Sequence, residues 1–499
     1  MAKPVVKADP LFMLIKSMTK AEKRFFKIYF NAFAEGHESV NMKLYDLLEG
    51  MDTYDEKLLL KKLNDKTIQK NLASYKSKLV DVILRCLQAM GEASSIEFAN
   101  LQKLLSLKLL YTRKVYELCK KELRQLKQTA IEFEDYLLLL DIVNFQRTMI
   151  FDLRYDDRDG VTLEKLLEEE NEYRMKMANY NRYYHFYSLQ KLLLVKKGWN
   201  SKESLIDKEL VRITGDELFK SPDMALSVKA KYLYYIILQN HYNLLFDSRN
   251  SFAINKQFLQ FAKEHATFFT TNRVKWMTVI YYYLLSASDV NEFDDYKREL
   301  KRLESVEVKG PFPGMAQAVY YNITGITFEI VQGTLAGMQR LANKSVADLE
   351  TFKQIVRPDV RSQILLLCAI GLMKYGKNDE AFPFLSLLTN ESEKEIRPEI
   401  LAIAKCMQIY FHLERQDYEL IDNLARSALR YNKASDMWDA VLADAISLAR
   451  IWAKSADNKG ADEIIAHIRE IAPKQTGTFK LFAHFLIAYI NRRTGNIKV

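Results

Sequence analysis

The chain has 499 residues, 48% of them hydrophobic and 27% charged, with a net charge of +9. This is an ordinary globular balance with material for a large core, not that of a low-complexity chain. Only 9 Pro and 16 Gly occur, and no Pro lies between Pro10 and Pro222, which suits helices and argues against many short strands joined by turns.

The positive charge is unevenly placed. Residues 1–130 hold 24 Lys and Arg against 15 Asp and Glu, and the rest of the chain holds 49 of each. The whole excess therefore sits in the first quarter. The four cysteines, Cys86, Cys119, Cys368 and Cys406, form no CxxC pair and fall in apolar helical patterns; they read as buried free thiols rather than a disulfide framework or metal site. The first twenty residues lack a continuous apolar run and a cleavage site, so no signal peptide is expected. The longest uncharged run, Gly310–Phe328, contains two Pro and two further Gly and reads as a turn plus a buried helix rather than a membrane span. The expected location is cytoplasmic.

In chain order, the N-terminal region reads as several short helices. Thr19-Lys20-Ala21-Glu22 is a capping box: the Thr19 hydroxyl can accept from the amide three residues on, and Glu22 can reach back. Its helix carries Phe25, Phe26, Ile28, Tyr29 and Phe33. Further helices are expected at Met42–Leu48, Glu56–Leu63 and Thr67–Met90; in the last, Leu72, Tyr75, Leu79, Val82, Ile83 and Cys86 fall at helical spacing. Longer helices follow at Ser95–Tyr111, Lys114–Lys127, Phe133–Arg154 and Leu163–Lys196, the last read as one helix or a broken one. Asp156–Gly160 is a loop and Gly198–Lys202 a break. No strand pattern occurs.

From about residue 222 the chain reverses repeatedly. In KYGKNDEAFPFLSLL, Lys374–Leu388, one helical pattern stops at Tyr375-Gly376 and another begins at Ala381. The first apolar residues after such reversals are Phe252, Phe293, Leu335, Ala381, Tyr418 and Ala461, with gaps of 41, 42, 46, 37 and 43 residues. Two helices per period of about 40 predict stacked helical hairpins. One hairpin cannot bury both of its apolar faces, and the next hairpin covers the face left open. The last helix, Thr478–Arg492, is expected to cap the array.

Here the chain resembles tetratricopeptide-type repeats, in which a small residue on each helix lets the pair approach closely. Gly376 and Ala381 match, with Ala369 on the preceding helix. Ala449, Ala461 and Pro473 repeat the arrangement, and Tyr321, Gly325, Phe328 and Gly337 match in part. The resemblance covers roughly the last 190 residues and implies an α-solenoid, a superhelical scaffold that binds proteins or peptides. The opening LIKSMTKAEKRFFKIYF is also similar to the start of uncharacterised bacterial helical-repeat proteins, a likeness that implies no function.

The seven histidines form no HxxxH metal face. The Gly-rich stretches KGPFPG and QGTLAG lack the Lys-Ser/Thr of a phosphate loop. No enzyme, cofactor or metal site is expected. The acidic run Glu168–Glu172 reads as a solvated helix face.

Clusters of aromatic residues are more unusual: Tyr180/Tyr183/Tyr184/Phe186/Tyr187, Tyr232/Tyr234/Tyr235, Tyr281/Tyr282/Tyr283 and Tyr320/Tyr321. Neighbours on a helix diverge by about 100°, so they cannot all enter one core. Tyr183, Tyr187, Tyr235, Tyr282 and Tyr321 are the candidate groove residues, since a phenol gives stiff contact area and a hydroxyl for peptide recognition. Packing between hairpins is the competing assignment for each. In the N-terminal quarter, Lys20, Lys23, Arg24, Lys27, Lys62, Lys66 and Lys70 make a candidate patch for an anionic partner, with an ordinary solvated surface as the alternative.

These observations predict an all-α chain: a basic N-terminal helical module at 1–90, a long-helix transition at 91–215 and a hairpin array at 216–499. The expected function is an interaction scaffold that holds a protein or peptide ligand in a concave groove. The alternative is a regulator that contacts nucleic acid through its N-terminal module. No membrane span is expected, and the oligomeric state stays open.

Overall fold

The structure, a computed structural model, describes residues 9–33, 38–64, 69–90, 96–152, 162–197, 212–308, 310–390, 396–434, 439–454 and 461–495. The loop at Asp156–Gly160, the break at Gly198–Lys202 and Lys66 lie outside these. The described residues form helices joined by short turns, without a β-strand among them. No helix among them is long and apolar enough to cross a membrane. The chain divides into two compact units, Met1–Leu166 and Leu167–Val499.

The first unit opens with α1 (Pro10–Ser17). Asp9 caps it by accepting from the Leu11 and Phe12 amides at 3.0 and 3.1 Å, and Pro10 supplies a preset φ at the first position. In α2 (Lys20–Phe33) the capping box forms: the Glu22 amide donates to Thr19 Oγ1 at 3.2 Å and the Thr19 amide to Glu22 Oε2 at 2.6 Å. α3 (Glu38–Glu49), α4 (Glu56–Leu63) and α5 (Leu72–Met90) follow. Their core includes Ile15, Phe26, Tyr45, Leu59, Leu79, Ile83 and Cys86. Then come three 17-residue helices, α6 (Ile96–Thr112), α7 (Tyr116–Glu132) and α8 (Tyr136–Asp152), each packed on the next.

The boundary between the units falls inside α9 (Leu163–Lys197), one unbroken helix of 35 residues. The second unit continues with α10 (Val228–Leu244), α11 (Ser248–Glu264), α12 (Ala266–Thr271), α13 (Arg273–Val290), α14 (Tyr296–Glu304), α15 (Pro311–Gln332) and α16 (Leu335–Thr351). After these come α17 (Pro358–Lys374), α18 (Asn378–Asn390), α19 (Pro398–Glu414), α20 (Tyr418–Ala434), α21 (Ala440–Lys454), α22 (Asp462–Ile471) and α23 (Gly477–Arg493). Each helix from α10 onward packs against the next. In addition α13 packs on α15, α15 on α17, α17 on α19 and α19 on α21.

One turn recurs. At Lys114, Glu134, Phe246, Asn291, Gly376 and Gln416 the backbone enters the left-handed region, with φ between 51° and 74°. At each, the next amide reaches back to a carbonyl five residues before it, as Lys377 does to Leu372 at 2.9 Å and Asp417 to His412 at 3.0 Å. This closes the helix end with two bonds and reverses the chain within three residues. At two of these turns the next residue also caps the following helix: Asp135 accepts from the Leu138 amide and Asp247 from the Asn250 amide. The reversal at Tyr375-Gly376 is therefore one instance of a device that already joins α6 to α7 and α7 to α8. Only one of the six uses glycine.

Close approach is visible at a small residue. A Cβ on Gly371 would stand 2.2 Å from Met338 Sδ, so α17 lies against α16 with no room for a methyl group. Ala369, Ala381, Ala449 and Ala461 are fully buried, as are the four cysteine thiols.

The last helix is not confined to the end of the chain's path. α23 packs against α13, α15, α17, α19 and α21 as well as its neighbour α22. α17 explains the need for it. Ten consecutive residues, Ile364–Met373, are all buried, so this helix is covered on every side, which one neighbouring helix alone cannot achieve. α23 supplies Phe482, Phe485, Leu486, Tyr489 and Ile490, all buried. At roughly 2 kcal/mol for each, removing it would cost on the order of 10 kcal/mol. Two cations fix its ends. Lys480 Nζ donates to the Ser288 and Asp289 carbonyls at 2.5 and 2.9 Å and to Asn291 Oδ1 at 2.9 Å, capping the C-terminus of α13. The Arg492 guanidinium donates to the Met373 and Lys374 carbonyls, capping the C-terminus of α17. Both place positive charge where a helix end is negative.

Candidate functional site

α23 covers the flank of α13 to α21, and the surface stays open beyond Tyr282. There a pocket of about 370 Å³ lies among α9, α10, α13 and α15. Tyr180, Tyr184 and Tyr187 come to it from α9, Tyr232 from α10, Tyr282 from α13 and Tyr320 from α15. The other charged lining groups are Lys191, Lys229 and Lys275.

Each wall is positioned by its own packing. α9 is held to α10 inside the core, where Gln190 donates to the Ile237 carbonyl at 3.0 Å and accepts from Asn240 at 2.9 Å. Tyr320 stacks on Tyr281 with ring centroids 4.4 Å apart, and its hydroxyl lies 3.3 Å from Thr278 Oγ1. Lys191 stands over the Tyr187 ring at 5.4 Å, and Lys275 over Tyr232 and Phe268 at 5.7 and 5.2 Å. Ring faces thus hold the ammonium groups at the pocket. Burial pushes the Tyr187, Tyr232 and Tyr282 phenols up, so they stay neutral donors at pH 7. Burial, together with the charge of Arg357, lowers Lys191. The pocket can therefore offer flat apolar contact, neutral hydroxyls and cationic groups.

The five tyrosines singled out from the sequence do not converge. Tyr187 and Tyr282 line this pocket. Tyr183 is fully buried, and its hydroxyl donates to the Leu218 carbonyl at 2.7 Å. Tyr235 is buried and stacks on Phe258 with centroids 5.0 Å apart. Tyr321 lies apart, half-buried under Lys344 at 5.6 Å. Tyr180, Tyr184, Tyr232 and Tyr320, members of the same clusters but not among the five, line it too, and the lysines went unread in the sequence. The signal for the lysines was spacing: Tyr187 and Lys191 are four apart on one helix, and Lys229 and Tyr232 three apart, so each pair shares a face.

The basic patch of the first unit is partly neutralised. Lys27 pairs with Asp46 and Glu49, both at 3.0 Å, and Lys23 lies 3.8 Å from Glu49. Lys20, Arg24, Lys62 and Lys70 are exposed. Among the described residues no group of three or more His, Cys, Asp or Glu side chains is placed to hold a metal ion. No known protein family, curated protein or solved structure matches this chain.

Proposed function

We propose that the second unit is a tetratricopeptide-like array of helical hairpins that acts as a protein-interaction scaffold. It receives a peptide segment of a partner at the tyrosine pocket. The observation that carries this reading is the pocket itself: six phenol rings and three lysines from four helices around about 370 Å³, next to a flank closed by α23. Rigid aromatic side chains on helices lose little entropy on binding and make good anchors. The lysines favour a segment with acidic side chains beside an apolar or aromatic one. The nucleic-acid reading of the N-terminal patch has less support, because Lys23 and Lys27 already face Glu49 and Asp46.

The test is selection of random peptides on the intact protein, followed by affinity measurement by fluorescence anisotropy. Selected peptides should carry acidic and aromatic residues, and Tyr187→Ala should weaken them by about tenfold or more. Peptides that bind Tyr187→Ala and Lys275→Ala as tightly as the parent would rule the pocket out.

A further inference from the structure

A second cavity, of about 190 Å³, lies on the other side of Tyr282, under the N-terminus of α23. Its chemistry differs from that of the tyrosine pocket. Gln239 enters it from α10, Asp289 from the end of α13, Arg397 and Glu399 from the start of α19, and Thr478 and Phe479 from the first turn of α23.

Two independent features there call for a ligand. The first is Gln239: its side chain is 1% exposed, and Oε1 accepts no hydrogen bond. An acceptor buried without a donor costs about 1–3 kcal/mol, so a donor is expected at that point. The second is the start of α23. The Thr476 side chain does not cap it, and the Gly477 amide is taken by Asp289 Oδ1 at 3.0 Å. The next two amides, of Thr478 and Phe479, have no acceptor within the helix and carry its positive end. Beside them Arg397 Nε is buried with no hydrogen-bonded acceptor, although Glu399 Oε1 lies 3.2 Å away.

We infer that this cavity binds a small zwitterion of the α-amino-acid class, with its carboxylate on the first turn of α23 and Arg397 and its ammonium on Gln239 and Glu399. A simple anion would meet the Asp289 and Glu399 carboxylates. A simple cation would meet the guanidinium and the positive helix end. A molecule carrying both charges on one carbon satisfies both sets of groups together. The cavity has several times the volume of one water, about 30 Å³, which is enough for a small amino acid. The site is separate from the peptide pocket, and its fate does not depend on the peptide reading.

The experiment is calorimetric titration of the intact protein with each of the twenty amino acids, and with propionate and ethylamine as half-ligands of alanine. One or a few small amino acids should bind saturably, and neither half-ligand should match them. Gln239→Leu should weaken binding about tenfold to a hundredfold, as should Arg397→Gln, the usual loss for a hydrogen bond to a charged group. Gln239→Leu also removes an unpaired buried acceptor, so it should fold at least as stably as the parent, which a thermal melt checks. Absence of binding by all twenty amino acids would overturn the inference. Propionate binding as tightly as alanine would also overturn it, and so would full affinity in folded Gln239→Leu.

Discussion

The flank shared by α10, α13, α15, α17, α19 and α21 has two fates. From α13 to α21 it is sealed by α23, and the helices beneath are buried on every side: Ile364–Met373 in α17 and nearly all of Ile400–Leu413 in α19. At α9 and α10 lies the tyrosine pocket, where phenols and lysines join the aliphatic residues. The difference teaches where function can reside. A helix that is apolar all round is sealed by its neighbours, whereas a pocket lined by half-buried phenols and ammonium groups presents the polar and aromatic chemistry that recognition uses.

The sharpest way to break this comparison is to unfasten α23. Lys480→Met removes three bonds from the end of α13, including the one to the Asp289 carbonyl, while the Ser288 carbonyl keeps the Asn291 amide. It should cost about 3 kcal/mol, read by urea unfolding; a change below a quarter of that would mean that the helix is held by packing alone. A pH scan probes the same seam. Burial, then the charges of Lys480 and Lys374, hold the His484 imidazole at about 4. The unfolded chain takes up this proton near 6.5. Stability from the neutral ring is thus full above about pH 6.5 and is lost as pH falls toward 4. Between pH 7 and 4.5 the parent should lose on the order of 2 kcal/mol more than His484→Gln, and parallel curves would refute the assignment. Gly371→Ala tests the sealed region away from α23. Its methyl group would meet buried Met338, so a loss of about 1–3 kcal/mol is expected by urea unfolding. At the open end, Tyr184 is 52% exposed, and Tyr184→Ala should change stability by less than about 0.5 kcal/mol while weakening any selected peptide. A large loss of stability there would reclassify the tyrosine pocket as core.

Helices and their ends were largely legible. The Thr19–Glu22 box, the start of α16 at Leu335 and of α20 at Tyr418, and the turn at Gly376 all follow from local spacing and capping, which act within a few residues. The other turns were harder to read. Lys114, Glu134, Phe246 and Gln416 adopt a backbone that glycine favours, and nothing in those side chains announces it; the packed helices on either side impose it. The candidate site was legible only by halves. Clustered tyrosines marked the right helices, but which ring points inward depends on rotation about each helix axis, and so Tyr183 and Tyr235 went to the core while Tyr187 and Tyr282 line a pocket.

By itself the sequence determined the all-helical character, the starts of several helices and the four buried thiols, since periodicity, capping and burial of apolar stripes are local properties. Only the tertiary structure decided that the last helix lies along five others rather than beside its neighbour alone. That choice depends on which apolar face remains uncovered once the other helices have packed, a quantity no single segment contains.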